Sequence, residues 1–138
     1  MKNDEIIDDV SGFTMPSASK FDVFELFSLK NRTIVITGSA NGIGRVAAIV
    51  CGKAGGNIAI TDKDFKAANK LEKELKHAGI NAKSWELDII MENKIIEVFE
   101  DISSHFGSLD VLINNAGTAH RNPAEKMKTE DFENIIKL

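Results

Sequence analysis

The stretch Thr33-Ile34-Val35-Ile36-Thr37-Gly38-Ser39-Ala40-Asn41-Gly42-Ile43-Gly44 decides the fold. Its first five residues are all β-branched, which reads as a short strand. Three glycines follow, and behind them apolar residues recur at three- and four-residue spacing, the period of a helix. Each glycine has a physical purpose at such a junction. Gly38 lets the chain turn sharply, Gly42 removes the side chain that would hold a phosphate group off the backbone, and Gly44 lets helix and strand pack closely. The free N–H groups and the positive end of the helix dipole then face an anion. Gly38, Ser39, Asn41, Gly42, Ile43 and Gly44 are therefore candidate phosphate-side contacts. A plain tight turn is the competing reading, and the position between a strand and a helix argues against it.

Outward from this stretch the same alternation continues. Strands are predicted at Thr33–Thr37, Asn57–Thr61, Ala82–Leu87 and Leu109–Asn114, and runs such as Val111-Leu112-Ile113 suit strands buried on both faces of a parallel sheet. Helices are predicted from about Gly42 to Ala54, from Asp64 to Ala78 and from Met91 to Phe106, each followed by glycine. A fourth opens at Thr129, read as its N-cap. The expected fold class is α/β: a Rossmann-type doubly wound parallel sheet with right-handed crossovers, truncated after the fourth strand, in spatial order third, second, first, fourth. Residues 29–138 form this incomplete nucleotide-binding domain. Residues 1–28 are a partly disordered lead-in, within which Phe21 to Leu29 are expected to lie on the domain as a short docking segment or to serve a partner.

Composition narrows the function classes. The 138 residues carry 17 Lys plus Arg against 21 acids, a formal charge of −4, with 43% hydrophobic and 28% charged residues, the balance of an ordinary globular protein. No run of about 18 apolar residues is present, so no membrane span is expected. Asp4, Glu5, Asp8 and Asp9 give the first residues the wrong charge for a secretory or mitochondrial leader, which makes the cytoplasm the default compartment. Cys51 alone allows no intrachain disulfide and reads as a small buried hydrophobe. Without blocks of Lys and Arg there is no nucleic-acid footprint. His77, His105 and His120 have no metal-ligand spacing, and Lys70, Lys73 and Lys76 interleaved with Glu72 and Glu74 read as a salt-laced helix face.

Two acids and one turn complete the candidate site. Asp62 stands at the tip of the second strand, 18 residues past Gly44, where a carboxylate can accept hydrogen bonds from both hydroxyls of an adenosine ribose and repel a 2′-phosphate. NAD is thus favoured over NADP. Asp64, two residues on, is the better cap for the second helix. Asp88 and Ile89 close the third strand at the expected adenine rim, with helix capping as the alternative for Asp88. The fourth strand ends in Asn114-Asn115-Ala116-Gly117, and the reversal of strand order brings Asn115, Ala116 and Gly117 beside the glycine turn.

These residues resemble the short-chain dehydrogenase/reductase family. Thr37-Gly38-x-x-x-Gly42-x-Gly44 is similar to its TGxxxGxG cofactor turn, Asp88 to its adenine-contacting aspartate and Asn114 to Gly117 to its NNAG motif, over about Leu29 to Leu138. The resemblance implies hydride transfer between a nicotinamide cofactor and an alcohol or ketone. It also implies that Asn114 holds the central sheet, that Asn115 to Gly117 border the nicotinamide-side ribose and that the complete protein is a homo-oligomer, a state doubtful for this chain. The lead-in is faintly similar to that of sugar- and polyol-reducing relatives. The family's catalytic Ser and Tyr-x-x-x-Lys lie beyond NNAG, and this chain contains no tyrosine. No catalytic residue is therefore assigned, and the chain is expected to be an N-terminal half, marginal in stability, with an unpaired edge on its fourth strand. The competing readings are a catalytically silent NAD-binding module and a methyltransferase on a similar sheet, for which NNAG is not needed.

Overall fold

The computed structural model describes residues 22–119 and 122–137. In chain order the elements are α1 (Val23–Leu26), β1 (Thr33–Thr37), α2 (Gly42–Lys53), β2 (Asn57–Asp62), α3 (Phe65–His77), β3 (Ala82–Glu86), α4 (Glu92–Phe106), β4 (Val111–Ile113), a 3-10 turn (Ala124–Lys126) and α5 (Thr129–Ile136). The strands form one parallel sheet in the order β3-β2-β1-β4, as the alternation of segments predicts. Thr37 is level with Thr61 and Ile36 with Ile113, so the carboxyl ends of the strands share one rim.

Side chains alternate across a strand, and both faces of β1 and β2 are covered. Ile34, Ile36, Ile58 and Ile60 meet Ala48 of α2 and Ala68, Leu71 and Leu75 of α3. On the opposite face Val35, Ala59, Trp85 and Leu87 meet Val98 and Ile102 of α4. Each fully buried aliphatic side chain contributes roughly 1.5–3 kcal/mol, and this double coverage is why β1 has no polar alternation. Helix ends follow local chemistry. Asp64 accepts from the Ala67 amide at 3.0 Å and caps α3, and Gly107, at φ 82°, ends α4 in the left-handed conformation.

At the opposite rim Asp110 ties β4 to β1. Its carboxylate accepts from the Thr33 amide at 2.8 Å, the Ser108 hydroxyl at 2.8 Å and Arg32 Nη1 at 3.1 Å, and these contacts, the Thr33 amide foremost, hold its pKa below the usual carboxylate range. The β3 edge is closed by a side chain. Glu72 Oε2 accepts both the Ser84 amide (2.7 Å) and the Ser84 hydroxyl (2.5 Å), while Oε1 takes Lys76 Nζ at 2.7 Å.

Several sequence expectations need correction. The segment before β1 lies on the domain only at its end: Phe24, Leu26 and Phe27 are exposed, whereas Leu29 packs on the core, its amide donating to the Ala54 carbonyl at 2.9 Å. A four-residue helix capped by Asp22 is too short to bury a face. Phe21 and the rest of the lead-in lie outside the described residues. Strand β4 is three residues long, not six, and Val111 and Leu112 are 38% and 42% exposed, because β1 is its one neighbour among the described residues. Lys128, not Thr129, is the N-cap of α5; it brings no side-chain acceptor, and Glu130 and Asp131 in the first turn compensate the helix dipole. The charges of α3 are laced together only in part, through the Glu72–Lys76 pair. Glu74 reaches across to Arg45 at 2.6 Å and Glu72 takes Lys76, so Lys70 and Lys73 have no ion-pair partner among the described residues. Cys51 is half-buried against the core, and that burial raises its thiol pKa.

Burial pushes the Glu72 carboxyl pKa up, yet hydrogen bonds from Lys76 and Ser84 and the charge of Lys76 bring it below the usual glutamate value. A depressed folded-state pKa stabilises the fold above the unfolded-state value, and this contribution is lost as pH falls through the folded one. Glu72→Gln is expected to cost about 1–2 kcal/mol at pH 7 in urea titration. The gap from wild type narrows as the medium is acidified below the ordinary glutamate range.

Candidate functional site

Between β1 and β4, where the strand order reverses, the rim opens into a cleft of about 570 Å³, within the range of small-molecule sites. Gly38, Asn41, Gly42 and Ile43 form one wall and Asp62 and Lys63 another. Leu87, Asp88 and Ile89 close the far side, and Asn115, Ala116, Gly117 and Thr118 cover the end next to β4. A second depression, between β3 and α4, is lined by Trp85 and by charges partly engaged with each other, Lys83 with Asp101 and Lys94 with Glu97, while Asp101 also accepts from the Trp85 indole N–H.

A clasp between two strand ends shapes the cleft. The Thr37 hydroxyl accepts from the amides of Asn115 and Ala116, both at 3.0 Å, and donates to the Ile113 carbonyl at 3.4 Å. Asn115 Nδ2 answers by donating to the carbonyls of Thr37 (2.9 Å) and Gly38 (3.0 Å). The turn after β4 is thereby drawn so close that a Cβ on Gly38, already at φ +62°, would lie 2.8 Å from the Ala116 Cα. A Cβ on Gly44 would meet Asn115 Nδ2 at 2.5 Å and the Gly38 carbonyl at 2.6 Å. The side chain that ties the strands here is that of Asn115. Asn114, expected to hold the sheet, is exposed, because consecutive residues leaving a strand point to opposite sides and Asn115 takes the side facing β1.

Asp62 is half-buried, and both its oxygens are engaged: Oδ2 accepts from the Ala40 amide at 2.9 Å and Oδ1 from the Asp64 amide at 3.0 Å. A carboxylate has about four acceptor sites, which leaves lone pairs for the cleft. Asp64, not Asp62, caps α3. Asp88 does not cap α4, whose N-cap is Met91; its Oδ1 accepts from the Ile90 amide at 3.3 Å in a local turn. Ser39 is fully buried, its hydroxyl and amide committed to Thr61, so it anchors the glycine turn from behind and lines no part of the cleft. Gly44 likewise lies behind the wall.

The cleft fits a pyrophosphate on two observations. A Cβ built on Gly42 (φ +57°) meets nothing within 4 Å, so that flank of the turn is open space. Unlike α3, α2 has no side-chain cap, since Asn41 makes no such bond, and its first-turn N–H groups are left for an external acceptor. Sequence reasoning missed Leu87 and Thr118 as lining residues and the Thr37 hydroxyl as the clasp; Lys63, read beside Asp62 as able to offset part of the repulsion of a 2′-phosphate, does line the cleft. The clasp had a signal, a hydroxyl at the end of an otherwise apolar buried strand.

A parallel sheet that reverses strand order beside an uncapped, glycine-opened helix is the architecture of dinucleotide-binding α/β proteins. The chain belongs to the short-chain dehydrogenase family, whose model matches residues 32–138. It is 35% identical over 112 residues to the 5-keto-D-gluconate 5-reductase of Escherichia coli K12, covering 81% of this chain and 44% of that protein. It is 31% identical over 119 residues to the 2-dehydro-3-deoxy-D-gluconate 5-dehydrogenase of Formosa agariphila, covering 83% and 44%. Among solved structures it is similar to the hydroxysteroid dehydrogenase of Escherichia coli, with TM-score 0.75 and 30% identity over 81% of this chain and 47% of that one. A short-chain type dehydrogenase/reductase of Mycobacterium marinum shares the fold at TM-score 0.80. The chain thus spans less than half the length of the relatives it matches. Among the described residues no helix is long and apolar enough to cross a membrane.

Substitution of either glycine costs stability, for different physical reasons. Gly44→Ala is expected to lower stability by about 2 kcal/mol in urea titration, because backbone and the Asn115 amide must give way. Gly42→Ala costs about 1–2 kcal/mol, from its left-handed conformation alone.

Proposed function

We propose that the chain is the cofactor-holding half of an NAD-dependent oxidoreductase that interconverts an alcohol and a ketone on a small sugar- or polyol-like substrate. The observation that carries this reading is the convergence, in one cleft at the switch point, of the open flank of Gly42, the Asp62 carboxylate and the Asn115–Gly117 turn. The α2 amides hold the pyrophosphate. Asp62 accepts from the ribose hydroxyls through its remaining lone pairs and repels a 2′-phosphate, which favours NAD over NADP. Asp88 and Ile89 border the adenine, and Asn115, Ala116 and Gly117 the nicotinamide-side ribose. The cofactor, when bound, supplies the carbon that gives or takes hydride. The substrate class is supported by the names of the two sugar-acid relatives.

The 138 residues contain no tyrosine, so the acid–base hydroxyl of the family's mechanism is not among them. A second reading of the same cleft is an NAD-binding module without turnover. Both readings share the cofactor site, and calorimetric titration of the chain with NAD and NADP tests it. NAD is expected to bind at least tenfold more tightly, and Asp62→Ala to weaken NAD by about tenfold or more through lost charge-assisted hydrogen bonds. Binding of neither nucleotide, or tighter binding of NADP, overturns the assignment.

A further inference from the structure

We infer that the lysines on the outer face of α3 form an electrostatic track that draws the anionic dinucleotide into the cleft. The inference rests on the cofactor reading above and adds a role for residues that do not touch the bound molecule. Lys66, Lys70 and Lys73, with His77 behind them, are all exposed and fall within about 60° of arc on α3, a stripe roughly 16 Å long. Lys63, one turn ahead, is itself a wall of the cleft beside Asp62. The stripe thus starts at the mouth of the site.

The folded structure, not the composition, makes this surface positive. Glu72 and Glu74 would neutralise it in an isolated helix, but Glu72 turns to Lys76 and the β3 edge, and Glu74 to Arg45 of α2. None of Lys63, Lys66, Lys70 and Lys73 has an ion-pair partner among the described residues.

The site needs such a source of attraction. Its described ionisable lining is Asp62, Lys63 and Asp88, one cation against two acids, on a chain of formal charge −4. The side chains of that rim alone repel an ionised pyrophosphate; the α2 amides attract it only at close range, and a positive surface beside the cleft acts farther out. At about 0.1 M salt the field of a charge persists for about 10 Å, which spans the rise from Lys66 to Lys73. Lys63 and Lys66 therefore act at the cleft mouth, and Lys70 and Lys73 extend the capture region along the helix. Steering of this kind raises association rates and leaves dissociation unchanged.

Stopped-flow NADH binding to the full chain, followed by NADH fluorescence at about 20 mM and about 500 mM salt, tests the inference. Lys66→Glu with Lys70→Glu is expected to slow association about fivefold at low salt, to leave dissociation unchanged and to match wild type at high salt. Lys30→Glu with Lys53→Glu changes net charge equally at the opposite rim and is expected to associate at nearly the wild-type rate. Equal slowing by both pairs, an unchanged rate in the α3 pair, or an effect confined to dissociation overturns the track. Binding by wild type at a salt-independent rate overturns the track alone, whereas no NADH binding by wild type overturns the cofactor assignment with it.

Discussion

The clasp between Thr37 and Asn115 is the constraint on which the candidate site depends. Strand pairing between β1 and β4 covers three residue pairs, too few to fix the turns that leave the strands. Two side chains complete the junction, one hydroxyl serving two amides and one amide serving two carbonyls. All four backbone groups sit where the cleft is formed, and each would otherwise be a partly buried polar group without a protein partner. The glycines at 38 and 44 follow from this closeness: the turns can touch because both lack a Cβ.

Asp62 extends the same logic to the second strand. Its two oxygens hold the Ala40 amide of the glycine turn and the Asp64 amide of the next turn, so the carboxylate proposed to read a ribose also aligns the walls around it. Thr61 and Ser39 repeat the connection one residue deeper, through a buried hydroxyl that donates to the Thr61 carbonyl and accepts from the Thr61 amide. The rim is a hydrogen-bonded chain of three strand ends, β4 to β1 to β2, more than a set of separate loops.

Much of this was legible in the residues. The β-branched runs and the three- and four-residue spacing of apolar side chains located the four strands and the three principal helices, because burial on both sheet faces leaves little room for another pattern. Ten of the twelve candidate site residues line one cleft, since motif spacing reflects where strands end. Ser39 and Gly44 do not, because both stand behind the wall. What the sequence hid was the choice of partners. Glu72 and Glu74 lie beside Lys70 and Lys73 in the chain, yet only Lys76 of the α3 lysines is taken, and the other partners are Ser84 of β3 and Arg45 of α2. Spacing along a helix shows which side chains share a face; it does not show what a neighbouring element offers. The apolar segment from Phe24 to Leu29 misled for a related reason, as hydrophobic character alone does not supply a surface to lie on.

Trp85 closes the account of the second face. Its indole N–H donates to Asp101 at 2.7 Å, Lys83 Nζ lies 4.7 Å from the ring centre, and His105 and Phe106 meet it edge-on at the end of α4. The chain has this one tryptophan and no tyrosine. Its ultraviolet emission is therefore the signal of a single site, with a carboxylate, an ammonium and an imidazole around the emitter. The colour and intensity of that light report whether α4 is seated on the sheet, and report it separately from anything that happens at the opposite wall of the molecule.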